Sequence, residues 1–495
     1  MGTAFTIDSP IRIARFGISS VVSIGDDELC EEMRQFYSEE YNRPYEPIKR
    51  FSDDYRARRI TAYLDLMDDL VTEQFEALKS QEFESGNEID TYFQLLPESS
   101  PIKQKYLKML AACSEDKLFL QDELKSAMKM GDIDVNIMTK LDRNNYGRDG
   151  QMLPDEFSDA LSAFRGFANS KLSSGIVFSA GFNRRLFAYI PTFSDFFPDE
   201  NGIIRKKIIV KVSDFRSSFT QGKFLAKKGI WVSEYRIESG LNCGGHAFAT
   251  DGYLMGPILE EFKTKKADMC EQLAGLCNSA LEKVGRVPFK TQPYAAVTVQ
   301  GGIGTAIENE SLLDEYNVDR TGWATPFLLV PEATSIDDET RQLLVRATQK
   351  DLYLSGVSPL GVPFNTVKGT PSEIQKRERF LEGKPGSPCP KGFLVSNMEF
   401  TKKPVCTASK LYQRRKIEQI QALDVSDEVK TQKVEAVVEK VCLCEDLAAG
   451  ALIEGQIDNK RSLKSAVCPG PNLAYFSRIF SLSEMVGHIY GRFNA

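Results

Sequence analysis

The sequence predicts an α/β protein, a (β/α)8 TIM barrel with a helical insertion and a mainly helical C-terminal region. Three observations carry this expectation. Short apolar runs alternate with helix-length segments between residues 132 and 364, residues 26–130 carry a helical period, and a charged stretch rich in glycine and proline at 370–387 precedes a final region holding five of the ten cysteines. The chain has 495 residues, which by length alone is about three domains or one large barrel with additions.

The opening segment Pro10 to Ile24 (PIRIARFGISSVVSI) is apolar and β-branched with a central glycine, and reads as a buried first strand followed by a tight loop. Beyond it, Ile60, Leu64, Met67, Val71, Phe75 and Leu78 recur at spacings of three and four and therefore share one helix face. Ser100-Pro101 reads as the start of another helix, with serine suited to the cap and proline to the first turn. Then come the runs at 134–138, 175–180, 207–212, 229–233 with its extension 234–236, 295–300 and 321–329. Strands apolar on both faces and separated by helices are expected in a parallel sheet covered by helices, and six or seven such units favour a closed barrel. The resulting division is a barrel over 1–25 and 131–368, a helical insertion over 26–130, and a cysteine-containing helical region over 369–495, where 429–443 has a helical pattern.

Composition narrows the function. Hydrophobic residues make up 42% and charged residues 26%, as in ordinary globular proteins. Mean hydropathy is −0.28 and no apolar run approaches the ~20 residues of a membrane helix, so no membrane span is expected. With 62 basic and 69 acidic residues the net charge is −7, which gives the whole chain no electrostatic drive toward nucleic acid. The first residues, MGTAFTIDSP, lack the basic and long apolar stretches of a signal peptide, and a cytoplasmic location is expected. Cysteines there are thiols or ligands rather than a disulfide framework. Any mechanism needing imidazole has two candidates, His246 and His488.

Two motifs carry chemistry. In Val297-Thr298-Val299-Gln300-Gly301-Gly302-Ile303-Gly304-Thr305-Ala306 a buried strand runs through glycines into a helix. Such a turn either forms an anion site at the helix start, suited to phosphate, or is simply tight. In barrels a phosphate site of this kind sits after the seventh and eighth strands, which suits the order of elements. In Cys243-Gly244-Gly245-His246 a histidine follows a strand end, where the catalytic groups of barrels collect. A neutral imidazole there can take a proton from a carbon acid or donate to an oxyanion, or it can merely satisfy loop backbone. His488, in SEMVGHIYGR, reads as structural.

Several blocks, in order, resemble the flavin mononucleotide (FMN) dependent nitronate monooxygenase family, formerly 2-nitropropane dioxygenases, which includes flavin-dependent enoyl-acyl-carrier-protein reductases. Ile13 to Ser19 resembles its first-strand loop and Val135-Asn136-Ile137 its strand with a flavin-contacting asparagine. Ile176 to Gly181 resembles the next strand and Gly244-Gly245-His246 the family's Gly-Gly-His. Val299 to Gly304, with Gly322 to Phe327 and Val330-Pro331-Glu332, resembles the two halves of the phosphate site. The resemblance covers roughly 10–24 and 132–366 and implies an FMN-binding barrel. It implies cofactor contacts at Ala14, Gly17, Asn136, Ser179, Lys211, Gly244, Gly245, Gly301, Gly302, Gly304, Ala324 and Thr325, and a catalytic or substrate-orienting role for His246.

The sequence departs from the family pattern in three places. Ser239 to Cys243 look inserted before Gly-Gly-His, Arg15-Phe16 stand where the family has a proline and a small residue, and the insertion and C-terminal region have no counterpart in the minimal enzymes. Substrate identity is therefore not carried over. What the resemblance implies is an FMN oxidoreductase acting on a carbanion-forming substrate or a small activated acyl, carbonyl or nitro substrate, free or on an acyl carrier. One alternative is an enoyl-type reductase fed by NAD(P)H or ferredoxin through an iron–sulfur relay. Another is a non-catalytic flavin-barrel scaffold that binds a partner. A homodimer or an electron-transfer partner is compatible with each.

Cys389, Cys406, Cys442, Cys444 and Cys468 contain no C-x-x-C pair, so a zinc ribbon fits badly. Cys389 and Cys468 precede prolines, as some ferredoxin ligands do; the choice lies between a [4Fe–4S] centre, a zinc site and buried thiols. Cys243 is a further candidate redox thiol. Lys140 and Lys211 point to the cofactor or an anionic substrate unless they are rim charges, and Tyr189, Tyr235 and Trp323 line a pocket unless they are packing.

Overall fold

A computed structural model describes residues 5–24, 26–139, 142–178, 181–239, 243–247, 255–387, 391–457 and 462–495. Seven strands run parallel in one sheet in chain order: β1 (Ser20–Ile24), β2 (Ile133–Ile137), β3 (Gly175–Phe178), β4 (Lys207–Val212), β5 (Val232–Ile237), β6 (Ala296–Gln300) and β7 (Arg320–Gly322). Helices connect them, among them Asp27–Glu40 and Tyr55–Ser80 after β1, Phe215–Ala226 after β4, Met255–Lys283 after β5 and Ala306–Tyr316 after β6.

The sheet is curled into a barrel-like cylinder. Arg320 on β7 reaches Asp132, just before β2, at 3.8 Å. Five strand spacings would separate them by roughly 24 Å in a flat sheet. The prediction of a TIM-barrel-type fold therefore stands, with seven rather than eight parallel strands among the described residues. Instead of an eighth parallel strand there is an antiparallel hairpin, β8 (Leu352–Ser355) with β9 (Phe364–Val367). Across the sheet edges, Ser335 N donates to Phe5 O at 3.0 Å, Ser9 Oγ to Ala333 O at 2.5 Å and Arg12 to Pro331 O at 3.0 Å.

Strand alternation separates two environments. Val22, Val135, Ile176, Val210, Tyr235 and Val299 face outward and pack with helix residues such as Leu64, Phe164 and Leu273 in one core. Asp134, Lys211, Glu234, Arg236, Thr298 and Arg320 occupy the alternate positions with Val177 and Ile209, so β3 and the start of β4 are apolar on both faces as predicted while the inner face elsewhere is polar. Its lower layer is a closed ion network. Arg236 binds Glu234 at 2.7 Å and Asp134 at 3.3 Å, Arg320 binds Glu234 at 2.8 Å, and Thr298 donates to Glu234 at 2.6 Å. Burial would raise Glu234, but the adjacent Arg236 guanidinium holds it below the ordinary carboxylate range.

The predicted strand over 10–24 is shorter. Ser9–Ile13 is a helical turn with proline in its first turn, Ala14–Phe16 is a 3-10 turn, and only 20–24 enters the sheet. The run 321–329 also splits, because Thr325–Leu329 turns into a 3-10 helix at Pro326. A second apolar cluster joins Phe75, Tyr92 and Leu124 from the segment between β1 and β2 to Leu328, Phe364, Val467, Leu473 and Phe476. The inserted helices and the C-terminal helices thus share one core. Among the described residues no helix is long and apolar enough to cross a membrane.

Lys206, fully buried before β4, closes the preceding helix–strand connection: its ammonium donates to the carbonyls of Phe167 (2.9 Å), Ser170 (2.8 Å) and Leu172 (2.9 Å). Burial lowers its pKa to about 8. Lys206→Met is expected to take the ammonium donor from the Ser170 and Leu172 carbonyls, while Phe167 O keeps Ser170 N and Oγ, and to cost about 3 kcal/mol in urea unfolding; unchanged stability would remove this staple from the account.

Candidate functional site

The C-terminal ends of the strands gather the polar residues that the inner face leaves at the top of the cylinder. Lys211 near the end of β4, Glu238 just after β5 and Gln300 at the end of β6 meet: Lys211 Nζ donates to Glu238 Oε2 at 3.0 Å and Gln300 Nε2 donates to the same oxygen at 2.6 Å. Burial would raise Glu238, but the Lys211 ammonium keeps it below its usual range, so the pair is ionic. Cys243 Sγ lies 3.4 Å from Gln300 O and 3.8 Å from Glu238 Oε2. Burial, and then the Glu238 charge, push its thiol up to about 12. Both causes act against the thiolate that a nucleophilic or readily oxidised cysteine needs.

Two glycine-bearing loops lie side by side because Gln300 is in register with Gly322. Gly301 (φ 90°) and Gly302 (φ 77°) both adopt left-handed backbone, open to glycine at little cost, and turn the chain sharply after β6. Among the described residues, the N–H groups of Gly302, Ile303 and Ala324 have no acceptor. Consecutive unfilled amides in such a turn form an anion-binding concavity. The next two amides differ: Gly304 N and Thr305 N donate to Glu308 Oε2 at 2.8 and 3.0 Å, and Thr305 and Glu308 form a reciprocal cap. The unfilled amides therefore belong to the turn itself and not to the helix start that the sequence pattern suggested.

Residues 468–488 wall this mouth. Gly470 N donates to Thr325 Oγ1 at 2.9 Å, Asn472 Nδ2 to Ile303 O at 2.8 Å, and a Cβ on Gly304 would overlap the Tyr475 ring. A Cβ on Gly244 would overlap Cys468 O, and the Gly245 amide points at the Cys468 thiol. Gly244 and Gly304, expected as cofactor contacts, thus owe their lack of a side chain to this packing. His488 is structural, as read: Ala495 N donates to Nδ1, which leaves Nε2 to donate to Gly304 O at 2.8 Å.

His246 lies in the loop after β5, half-buried. It forms an antiparallel bridge with Phe364 on β9, stacks edge-on against the Phe364 ring at 4.9 Å, and shares a 2.6 Å hydrogen bond through Nε2 with Ser358 Oγ. Asn365 fixes the same loop by donating to Gly245 O (2.8 Å) and Cys243 O (2.7 Å). Asn136, near the end of β2, is buried; its Nδ2 reaches Ser23 Oγ at 3.4 Å while Oδ1 has no partner.

Other predicted positions fall elsewhere. Ala14 and Gly17 lie at the N-terminal edge of the sheet, where Ala14 O accepts from Gly131 N at 2.8 Å just before β2, and Gly17 packs on Tyr92. They are at the opposite end from the mouth, and their assignment as cofactor contacts is withdrawn. Tyr235 is buried in the outer helical layer and Tyr189 packs on Phe164 and Phe193, so neither lines the mouth; Trp323 sits beside it, against His488. Ser179, Lys140 and Cys389 lie outside the described residues. Cys468 belongs to the second apolar cluster, Cys406 and Cys444 pack against it, and Cys442 is buried. Among the described residues no group of three or more His, Cys, Asp or Glu is arranged to hold a metal.

Sequence reasoning missed Glu238, Gln300, Ser358, Glu308 and Asn472. The one legible hint was the turn-forming run Cys468-Pro469-Gly470-Pro471-Asn472.

No family model matches the sequence, and no curated protein matches it. Solved structures similar to the chain include FabK from Thermotoga maritima, at 15% identity over 77% of this chain and 82% of that one, TM-score 0.36. The enoyl reductase domain of MlnA from the macrolactin biosynthesis cluster of Bacillus amyloliquefaciens is 12% identical over 77% and 86%, TM-score 0.41. Nitroalkane oxidase from Streptomyces ansochromogenes is 10% identical over 76% and 84%, TM-score 0.33.

Lys211→Met is expected to leave Glu238 buried without its counter-charge. The expected loss is about 3–5 kcal/mol in chemical denaturation; a loss below about 1 kcal/mol would show that the pair is not a buried ion pair.

Proposed function

We propose that the chain is an FMN-dependent oxidoreductase, acting on a carbanion-forming substrate or on a small activated acyl, carbonyl or nitro substrate. The observation that carries the reading is the pair of register-matched loops at 301–303 and 323–324, where the amides of Gly302, Ile303 and Ala324 have no acceptor among the described residues, at the C-terminal end of a barrel. A phosphoryl group fits such a seat. Asn136 Oδ1, a buried acceptor without a donor on β2, fits an N–H of the same ligand. FMN, when bound, supplies the electron-pair and single-electron chemistry that side chains lack.

The chain's own groups do the rest. The loop amides bind the phosphoryl end. The neutralised Lys211–Glu238 pair, held by Gln300, forms a rigid polar floor. The imidazole of His246, oriented by Ser358 and by the pairing of its loop with β9, takes or directs a substrate proton. The flavin-free scaffold is the second reading, and one observation favours it: Glu308 already serves the amides of Gly304 and Thr305.

The purified protein mixed with FMN is expected to retain it through gel filtration with a two-band visible spectrum; failure to retain any FMN would favour the scaffold. His246→Ala is expected to keep the bound flavin and lower turnover roughly a hundredfold or more. Unchanged turnover would remove His246 from the chemistry.

A further inference from the structure

The C-terminal region brings one buried polar side chain to the anion seat that the barrel itself does not provide. Asn472 is 6% exposed, and its Nδ2 donates to Ile303 O at 2.8 Å. That bond fixes the amide: turned over, its oxygen would face the Ile303 carbonyl oxygen. The remaining atom, Oδ1, has no partner. A buried acceptor left unmade is costly, and one held beside a row of unfilled amides needs a donor. Neighbouring contacts hold the segment in place: Gly470 N donates to Thr325 Oγ1 on the other loop, and Tyr475 covers Gly304.

Resting on the FMN reading above, we propose that Asn472 is a ligand-binding residue whose Oδ1 accepts from a hydroxyl of a phosphorylated polyol chain, with the phosphoryl group seated on residues 301–303 and 323–324. Ile303 belongs to the seat and carries the carbonyl that Asn472 grips, so the hydroxyl concerned is one close to the phosphate. The ribityl phosphate of FMN has this chemistry. The C-terminal region would then complete a binding site, so its role extends beyond covering the barrel.

The test measures affinity by flavin fluorescence in the full-length protein, for FMN and for a flavin whose phosphate is carried on a plain alkyl chain without hydroxyls. The wild-type protein is expected to prefer FMN about tenfold, the worth of one such hydrogen bond. Asn472→Ala, shown by its melting curve to be folded, is expected to bind both ligands alike. Equal affinities of the wild-type protein for the two ligands would overturn the assignment without any variant, as would a folded Asn472→Ala that keeps the preference. In both cases FMN binding survives and the function proposed above stands. Absence of FMN binding by the wild-type protein would overturn both.

Discussion

The register of β6 against β7 is the constraint on which the site depends. With Gln300 opposite Gly322, the chain leaves both strands at the same height, and the two sharp turns that follow present their amides side by side. One residue of slip would move Gln300 away from Glu238, reverse the faces of Thr298 and Val299, and put a polar side chain into the helical layer. The outward valines of β6, buried in the helical layer, therefore help to hold the two loops together.

The polar interior explains why the cylinder must curl. Asp134, Glu234, Arg236 and Arg320 lie on strands that are not all neighbours, and a rolled sheet brings their charges into pairs at 2.7–3.3 Å. A flat sheet would part Asp134 from Arg236 and Arg320 from Glu234, at a desolvation cost of several kcal/mol for each charge left unpaired. The lower network thus seals the bottom of the cylinder, while the Lys211–Glu238–Gln300 group forms a second polar layer beneath the mouth. The C-terminal segment then narrows the mouth with Cys468, Gly470, Asn472 and Tyr475, and the shared apolar cluster ties it to the inserted helices.

Much of the barrel was legible in the residues. The runs at 134–138, 175–180, 207–212 and 295–300 are β-branched and bounded by polar segments, and each coincides with a strand to within about two residues. The first strand was misplaced because Ile11, Ile13 and Phe16 are as apolar as Val21 and Val22, and a helical turn buries them equally well. The polar inner face was not legible because Arg236 finds Asp134 about a hundred residues away, and no local pattern reports such a pairing. Within the site, the glycines after β6 were visible and their neighbours were not. Gly304 looks like a phosphate glycine in sequence, yet it is small because Tyr475 lies on it. Asn472 could be found only once folding had carried it 169 residues along the chain to Ile303.

The central claim is that the phosphoryl group supplies the grip. It is tested most directly by titrating the protein with FMN and, in parallel, with riboflavin, which lacks only that group. Several loop amides donating to one anion predict binding of FMN roughly a hundredfold or more tighter than riboflavin, since charge-assisted hydrogen bonds are the stronger kind. Equal affinities for the two would contradict the account.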